Sequence, residues 1–513
     1  MANDKTALVT QWTPGEELLA EVRRIAGAMV TEGRAPGVAY GIVTRGGLVA
    51  GGGVGQAVLD GPEPTTGSVF RIASMSKSFT AAAVLLLAER GALRLDSPVS
   101  TYVPEFGQIR PYTQDSPPVT VAHLLSMCSG LATDDPWADR QESLPAEAFQ
   151  AEVAQGLRAV AAPGLAYEYC NTGYALLGAI VSRVTDRPFT EFVRETFMAP
   201  LGLENTTYDY TTVPAERLTT GYFKYKATWE PQDFTGPGAY SSIGGVLSCV
   251  DDLAVWVQWL ADGFPARDGL DAGPLSRASR RMMQTAHIDI PPVLRSGSAR
   301  GRLTVQESNE LGGYGYGLFI NWDPVFGVNA EHPGGYPGYG TSMRWHLDSG
   351  LGVIVLANGR YAPSRVLSDR LLRLVLADAD AAGRTLVPWP EARAAALAIT
   401  AALAGGGDPF EAVPLTMNVV MDLSLERRRA DLAEALAKVG PVAADAAPQI
   451  LESEVTSEAH LVWTLPAERG KLRCEIKLSP QGQPAVQTLL IAPLAAVPKD
   501  DLVVTSPRMR VAW

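Results

Sequence analysis

Apolar residues along this chain recur every three to four positions in some segments and every second position in others, and the switches between the two periods predict its elements. Residues 14–30 place Leu18, Leu19, Val22, Ile25, Met29 and Val30 on one face with Glu and Arg between them, the spacing of an amphipathic helix. Pro36 and Gly37 break that period. Residues 38–43 and 48–54 then read as two strands joined at Arg45, Gly46 and Gly47. After Lys77 the run to Ala88 is apolar on nearly every side, so a helix there has no face for water and belongs at the centre of a domain.

From Leu93 to about Gly269 helical patterns and long loops dominate, with helices expected over 121–127, 147–161, 173–184 and 189–198. Strands return at 314–320, 341–346 and 352–357, followed by a helix over 364–376. The ends of this region supply a sheet and its middle a helical block. The segment holding Ser74 enters the block directly after the first strands, which places a site in the cleft between the two.

The composition turns small and Pro-punctuated over 381–390, as linkers do. Beyond it the pattern predicts a helix over 391–403, a strand over 418–423, a helix over 427–439 and three alternating strands over 461–465, 472–478 and 486–491. The expected organisation is a flexible N-terminus (1–12), a main domain (13–380), a linker (381–390) and a smaller α+β domain (391–513) with a helix on an antiparallel sheet.

Composition narrows the function classes. With 513 residues, 46% of them hydrophobic, the chain can bury two substantial cores. A net charge of −12 with lysine scarce argues against nucleic acid or an anionic membrane as partner, since both are gripped by clustered Lys and Arg. No uncharged run approaches a membrane span, and the first dozen residues lack the apolar core of a signal peptide. Cys128, Cys170, Cys249 and Cys474 lie far apart without C-x-x-C pairs, which fits reduced, packing cysteines in a cytoplasm better than disulfides or a zinc site. His123, His287, His332, His346 and His460 form no H-E-x-x-H, and no metal or other cofactor is expected. Gly51, Gly52 and Gly53 lack the ending of a phosphate loop, and G-x-S-x-G is absent.

Three short constellations carry chemistry. Ser74 and Lys77 are three apart, so at a helix start they share one face, and a buried, uncharged lysine can take the serine's proton. Read plainly, the same pair is an N-cap serine with a solvated lysine, but Lys77 is the one lysine of the chain with serine three residues before it. Tyr169, Cys170 and Asn171 precede a helix and either cap it or point side chains into the cleft. Glu331, His332, Pro333, Gly334, Gly335, Tyr336, Pro337 and Gly338 form a glycine-rich stretch that permits close backbone approach.

The order Ser-x-x-Lys, Tyr-x-Asn, His-x-Gly, with flanks such as VFRIASMSKSFTA, YEYCNTGYALLGAIVSRVTDRPFTEFV and HPGGYPGY, resembles the β-lactamase-like serine hydrolases: penicillin-binding proteins, class C β-lactamases, esterases and D-aminopeptidases. The resemblance covers residues from about 15 to 380. It implies an α+β, β-lactamase/transpeptidase-like fold in which an antiparallel sheet is flanked by terminal helices and joined to an all-helical block. It also implies Ser74 as acylated nucleophile, Lys77 as its base and Tyr169 as proton relay. Asn171 would hold the substrate amide or acyl carbonyl, the N–H groups of Ser74 and Gly335 would form the oxyanion hole, His332 would line the cleft, and Gly334 would leave room for substrate.

One departure bears on the substrate. Where lactamases have Lys-Thr-Gly this chain has His332, Pro333 and Gly334, so the cation that grips a carboxylate is missing. The leading expectation is therefore a cytoplasmic hydrolase of small esters, amides or peptides, of esterase or D-aminopeptidase type. Acyl transfer or peptide cyclisation through the same acyl-enzyme is the first alternative. A β-lactamase or a non-catalytic penicillin-binding-like scaffold is the second, and the C-terminal domain leaves a homo-oligomer open.

Overall fold

A computed structural model describes residues 12–135, 137–269, 271, 273–291, 294–299, 302–307, 311–381, 384–494 and 509–511. Residues 1–11 of the expected flexible N-terminus lie outside these; Trp12 Nε1 donates to Asp378 at 3.0 Å. The chain divides into two compact units, the larger ending at Ala381.

The larger unit opens with helix α1 (Glu16–Thr31), which buries Leu18, Val22, Ile25, Ala26 and Met29, the stripe the apolar period marks. Strands β1 (Gly37–Thr44) and β2 (Gly47–Gly55) follow as an antiparallel hairpin. They lead to helix α2 (Ser76–Glu89), α3 (Asn171–Thr185) and α4 (Val250–Ala261) of the helical block. The chain then returns through β3 (Ile288–Ile290), β4 (Leu311–Tyr314), β5 (Phe319–Asp323), β6 (Gly327–Tyr336), β7 (Tyr339–His346) and β8 (Gly352–Ala357) to α5 (Ser364–Asp378). These strands form one eight-stranded sheet in the order β2-β1-β8-β7-β6-β5-β4-β3, so the two ends of the unit meet where β1 pairs with β8.

Every residue of β1, β7 and β8 is buried, as central strands covered on both faces must be. Helices α1 and α5 pack together on one face, while α4 packs on β1 and β8 from the helical side. The side chains of β6 alternate accordingly. Glu331 forms ion pairs with Arg344 of β7 and Arg365 of α5, both at 2.6 Å, while His332 reaches the Tyr314 hydroxyl.

Helix α2 is buried at twelve consecutive positions from Ser76 to Leu87. Its polar members survive there because each finds a partner. Ser78 Oγ donates to Met75 O at 2.8 Å and accepts from Trp256 Nε1 at 3.0 Å, and Thr80 Oγ1 donates to Ser242 O at 2.7 Å. Phe79 stacks on Trp256 with ring centroids 3.9 Å apart, locking α2 onto α4.

Several elements differ from the pattern-based expectation. The helix expected over 147–161 ends at Ala154, because Gly156 turns left-handed (φ +94°) and Ala159 then bridges to Leu131. The single strand expected over 314–320 is a hairpin of β4 and β5 reversed at Gly315–Leu318, and the region read as helical holds a further hairpin, Tyr222–Tyr225 with Thr228–Pro231. The helix expected over 189–198 is α-helical only to Val193 and widens to a π-turn over Arg194–Met198.

The smaller unit contains α6 (Pro390–Ala404), α7 (Met417–Asp422), α8 (Leu425–Val439) and an antiparallel sheet of β9 (Gln449–Ile450), β10 (His460–Ala467), β11 (Gly470–Leu478) and β12 (Val486–Pro493) in sequence order. The segment expected as a strand over 418–423 is helical. It buries Val419 and leaves Met417 and Met421 exposed, so a short apolar run here marks a docked turn of helix rather than a strand. The four cysteines are buried and free. Among the described residues no helix is long and apolar enough to cross a membrane.

Candidate active site

Ser74 lies in a single 3-10 turn, Ala73–Met75, that runs into α2. Ala73 has φ +52°, a left-handed conformation that costs an L-residue about 1 kcal/mol. Ser76 Oγ holds that turn by donating to Ala73 O at 2.6 Å and accepting from Val246 N at 3.1 Å. From the sheet side Thr341 Oγ1 donates to Ile72 O at 2.8 Å. The serine is therefore half-buried on a turn clamped from both sides.

Lys77 is wholly buried. Its Nζ lies 3.0 Å from Ser74 Oγ and donates to Ile243 O at 3.0 Å, while the Tyr169 ring centroid is 4.9 Å away. Burial pushes its pKa down to about 8, with the charges of Asp135, Asp139 and Asp134 pulling the other way. Burial raises the Tyr169 hydroxyl well above its ordinary range, against the effect of its contact with Ser74, so it stays protonated. Its ring stacks on Phe319 at 6.4 Å and tilts against His332 at 6.5 Å.

The strand side is built by β6. A methyl on Gly334 would fall 2.2 Å from Thr341 Oγ1 and 2.3 Å from Ile72 O, so only glycine lets the strand reach the Ser74 turn. Gly335 lies under the Tyr361 ring, 2.6 Å from where its Cβ would be. His332 is buried, its Nδ1 donating to Pro333 O at 2.7 Å and its Nε2 accepting from the Tyr314 hydroxyl at 3.0 Å. Burial and the neighbouring Lys77 lower its pKa to about 3, so His332 stands here as a neutral ring.

Asn171 is fully buried at the start of α3. Its Nδ2 donates to Asp135 Oδ1, and its Oδ1 has no hydrogen-bond partner among the described residues. The side-chain amide therefore offers a free acceptor, which suits the N–H of a substrate amide, one of the two groups the resemblance assigns it to hold. Cys170 occupies the N-cap without capping. Asp134 does that work from a distant loop, accepting from Asn171 N at 2.7 Å, Thr172 N at 2.7 Å and Thr172 Oγ1 at 2.6 Å.

Ser74, Lys77, Tyr169, Asn171, His332, Gly334 and Gly335 are thus gathered around the turn that carries Ser74. Sequence reasoning missed the loop bearing Asp134, Asp135 and Asp139. Asp139 is buried, accepts from the Tyr361 hydroxyl at 2.8 Å, and has its pKa raised to about 6 by burial and by Asp135. The signal was three aspartates within six residues, D-D-P-W-A-D, between two family-like segments. Among the described residues no three His, Cys, Asp or Glu side chains gather closely enough to hold a metal ion.

Comparison with known proteins identifies the family and the fold. Residues 22–377 match the Beta-lactamase family. Penicillin-binding protein 4* of Bacillus subtilis is 26% identical over 311 residues, a stretch covering 57% of this chain and 61% of that relative's length. An octameric penicillin-binding protein homologue from Pyrococcus abyssi superimposes with a TM-score of 0.59 at 22% identity, covering 91% of this chain and 100% of the other. A D-stereospecific amidohydrolase from Streptomyces sp. does so with a TM-score of 0.56 at 21% identity, covering 70% and 98%. The fold is that of the β-lactamases and penicillin-binding proteins, and the chain belongs to the β-lactamase family of serine hydrolases.

Proposed function

We propose that this protein cleaves small esters or amides through an acyl-enzyme on Ser74. The observation that carries this reading is the Lys77 amine, buried, 3.0 Å from Ser74 Oγ and with its pKa lowered to about 8. An uncharged amine at that distance takes the hydroxyl proton as Oγ attacks the carbonyl carbon. The N–H groups of Ser74 and Gly335, on two elements clamped together at Gly334, serve the developing oxyanion. Tyr169, protonated at rest and beside both Ser74 and Lys77, passes its proton to the leaving group as it receives the one Lys77 took. In deacylation it passes its proton to Ser74 Oγ as it takes one from the water that attacks the acyl carbon, releasing the acid and returning Ser74 to its hydroxyl form. Amides are included because a D-stereospecific amidohydrolase shares the fold.

The test is hydrolysis of short-chain p-nitrophenyl esters. Ser74→Ala is expected to abolish it, and Tyr169→Phe to slow turnover by roughly 10²-fold. Wild-type rates in either variant contradict the mechanism.

A further inference from the structure

We infer that Glu142 is a positioning residue for the oxyanion hole, holding the turn that carries Ser74 and the strand that carries Gly335 in one register. This rests on the reading of Ser74 as nucleophile, with the Ser74 and Gly335 N–H groups as oxyanion donors, and adds a residue that lies outside the three motifs.

One carboxylate oxygen of Glu142 ties both elements. Its Oε2 accepts from Arg71 Nη1, from the Tyr336 hydroxyl at 2.8 Å and from Thr235 Oγ1 at 2.8 Å. Arg71 stands three residues before Ser74, in the short strand Phe70–Arg71 that leads into the Ser74 turn, and Tyr336 follows Gly335 at the end of β6. The Arg71 guanidinium also lies 4.7 Å from the Tyr336 ring centroid and donates to Thr235 O at 3.0 Å. Each oxyanion donor is therefore no more than three residues from a side chain bound to that oxygen.

The contact supplies what the Gly334 clamp alone lacks. Thr341 Oγ1 on Ile72 O, with Gly334 against Ala73, joins turn and strand at one place, and two elements joined at one place can pivot. Glu142 joins them at a second. Its own position is bounded by Gly245, where a methyl would fall 2.8 Å from Glu142 Oε1, and the next residue, Val246, grips the Ser74 turn by accepting from Ile72 N at 2.9 Å and donating to Ser76 Oγ at 3.1 Å. Arg71 and Glu142 are 1% and 2% exposed. A buried ion pair adds little stability over well-packed apolar residues, so stability alone does not account for it, whereas its directional bonds fix geometry. Geometry matters here because a misplacement of about 1 Å costs about 10²-fold in rate.

The experiment follows acylation by p-nitrophenyl acetate in single turnover, with rates expressed per Ser74 titrated to completion with a fluorophosphonate. Glu142→Ala is expected to lower the acylation rate constant at least about tenfold while the substrate dissociation constant changes less than about threefold. Glu142→Gln is expected to stay within about threefold of wild type, because its amide oxygen can accept from the same three donors and its nitrogen replaces Oε1, which has no donor among the described residues. Its urea midpoint is expected to fall all the same, since Arg71 loses its counter-charge. A purely structural role gives a different pattern, in which both variants lose titratable sites and neither loses rate per site. Phenylboronic acid, whose adduct with Ser74 Oγ sets a boron-bound oxygen where the oxyanion forms, is expected to bind Glu142→Ala at least about tenfold more weakly. Unchanged acylation per site or unchanged boronate affinity in Glu142→Ala overturns the positioning role, as does a Glu142→Gln as slow as Glu142→Ala. Should Glu142→Ala not fold, Tyr336→Phe decides: the loss of one hydroxyl is expected to lower acylation per site at least about threefold, and a wild-type value overturns the role. Absence of label on wild-type Ser74 overturns the nucleophile and the positioning role together, whereas a labelled Ser74 with unchanged rates in the variants overturns the positioning role alone.

Discussion

A lysine can act as a base only while uncharged, and with a pKa near 8 about one molecule in ten has Lys77 in that form at pH 7. The deprotonated fraction rises about tenfold per pH unit below that value and levels off above it. The rate constant for acylating Ser74 is therefore expected to climb from pH 6 and to plateau above about 8. It can be measured by stopped-flow with an activated ester, and a profile flat from about pH 6 to 9 would sink the assignment of Lys77 as base. Asp139 makes a prediction about stability. Its folded pKa of about 6 exceeds the ordinary 3.8, so the folded state holds the extra proton between those values. Its contribution is fully present below 3.8, is lost as pH rises through 6, and stays lost above, an effect of about 3 kcal/mol. Asp139→Asn is thus expected to raise the urea midpoint at pH 7.5 while leaving it nearly unchanged at pH 4. A midpoint lower than wild type at pH 7.5 contradicts the account.

At the scale of elements, the site depends on β6 lying flush against the turn that carries Ser74. Gly334→Ala forces a methyl onto Thr341 Oγ1 and the Ile72 carbonyl, two atoms that are themselves hydrogen-bonded to each other. The strand must move away, carrying the Gly335 N–H with it, and overpacking of this kind costs about 1–3 kcal/mol. Ester hydrolysis is expected to fall at least tenfold with far-UV circular dichroism preserved, and full activity in this variant would show that the contact does not matter. The α2 helix and its Ser74–Lys77 face were legible because a three-residue spacing at the mouth of an apolar run has one geometric meaning once the run is helical. The six residues from Met417 to Asp422 were not legible in that way. A short run with two adjacent valines fits a strand or a helical turn equally, and packing against β12 decided for helix.

Across the larger unit the site draws on segments far apart in sequence: residues 72–77, 134–139, 169–172, 332–335 and Tyr361. The motif-bearing segments could be ordered from sequence because each has a residue pattern of its own. The 134–139 loop could not, since loop side chains follow no period and nothing local shows that Asp134 caps a helix beginning 37 residues later at Asn171. Nor did the pattern show Tyr361, whose left-handed backbone (φ +48°) turns its ring onto Gly335. These unforeseen residues hold the motif residues in place and give the cleft its negative charge. The central claim remains the acylation of Ser74, and it is tested most directly by incubating the protein with a fluorophosphonate, digesting it and mapping the adduct by mass spectrometry. The account predicts one adduct per chain, on Ser74, lost in Lys77→Met at neutral pH. An adduct on another residue, or none at all, contradicts it.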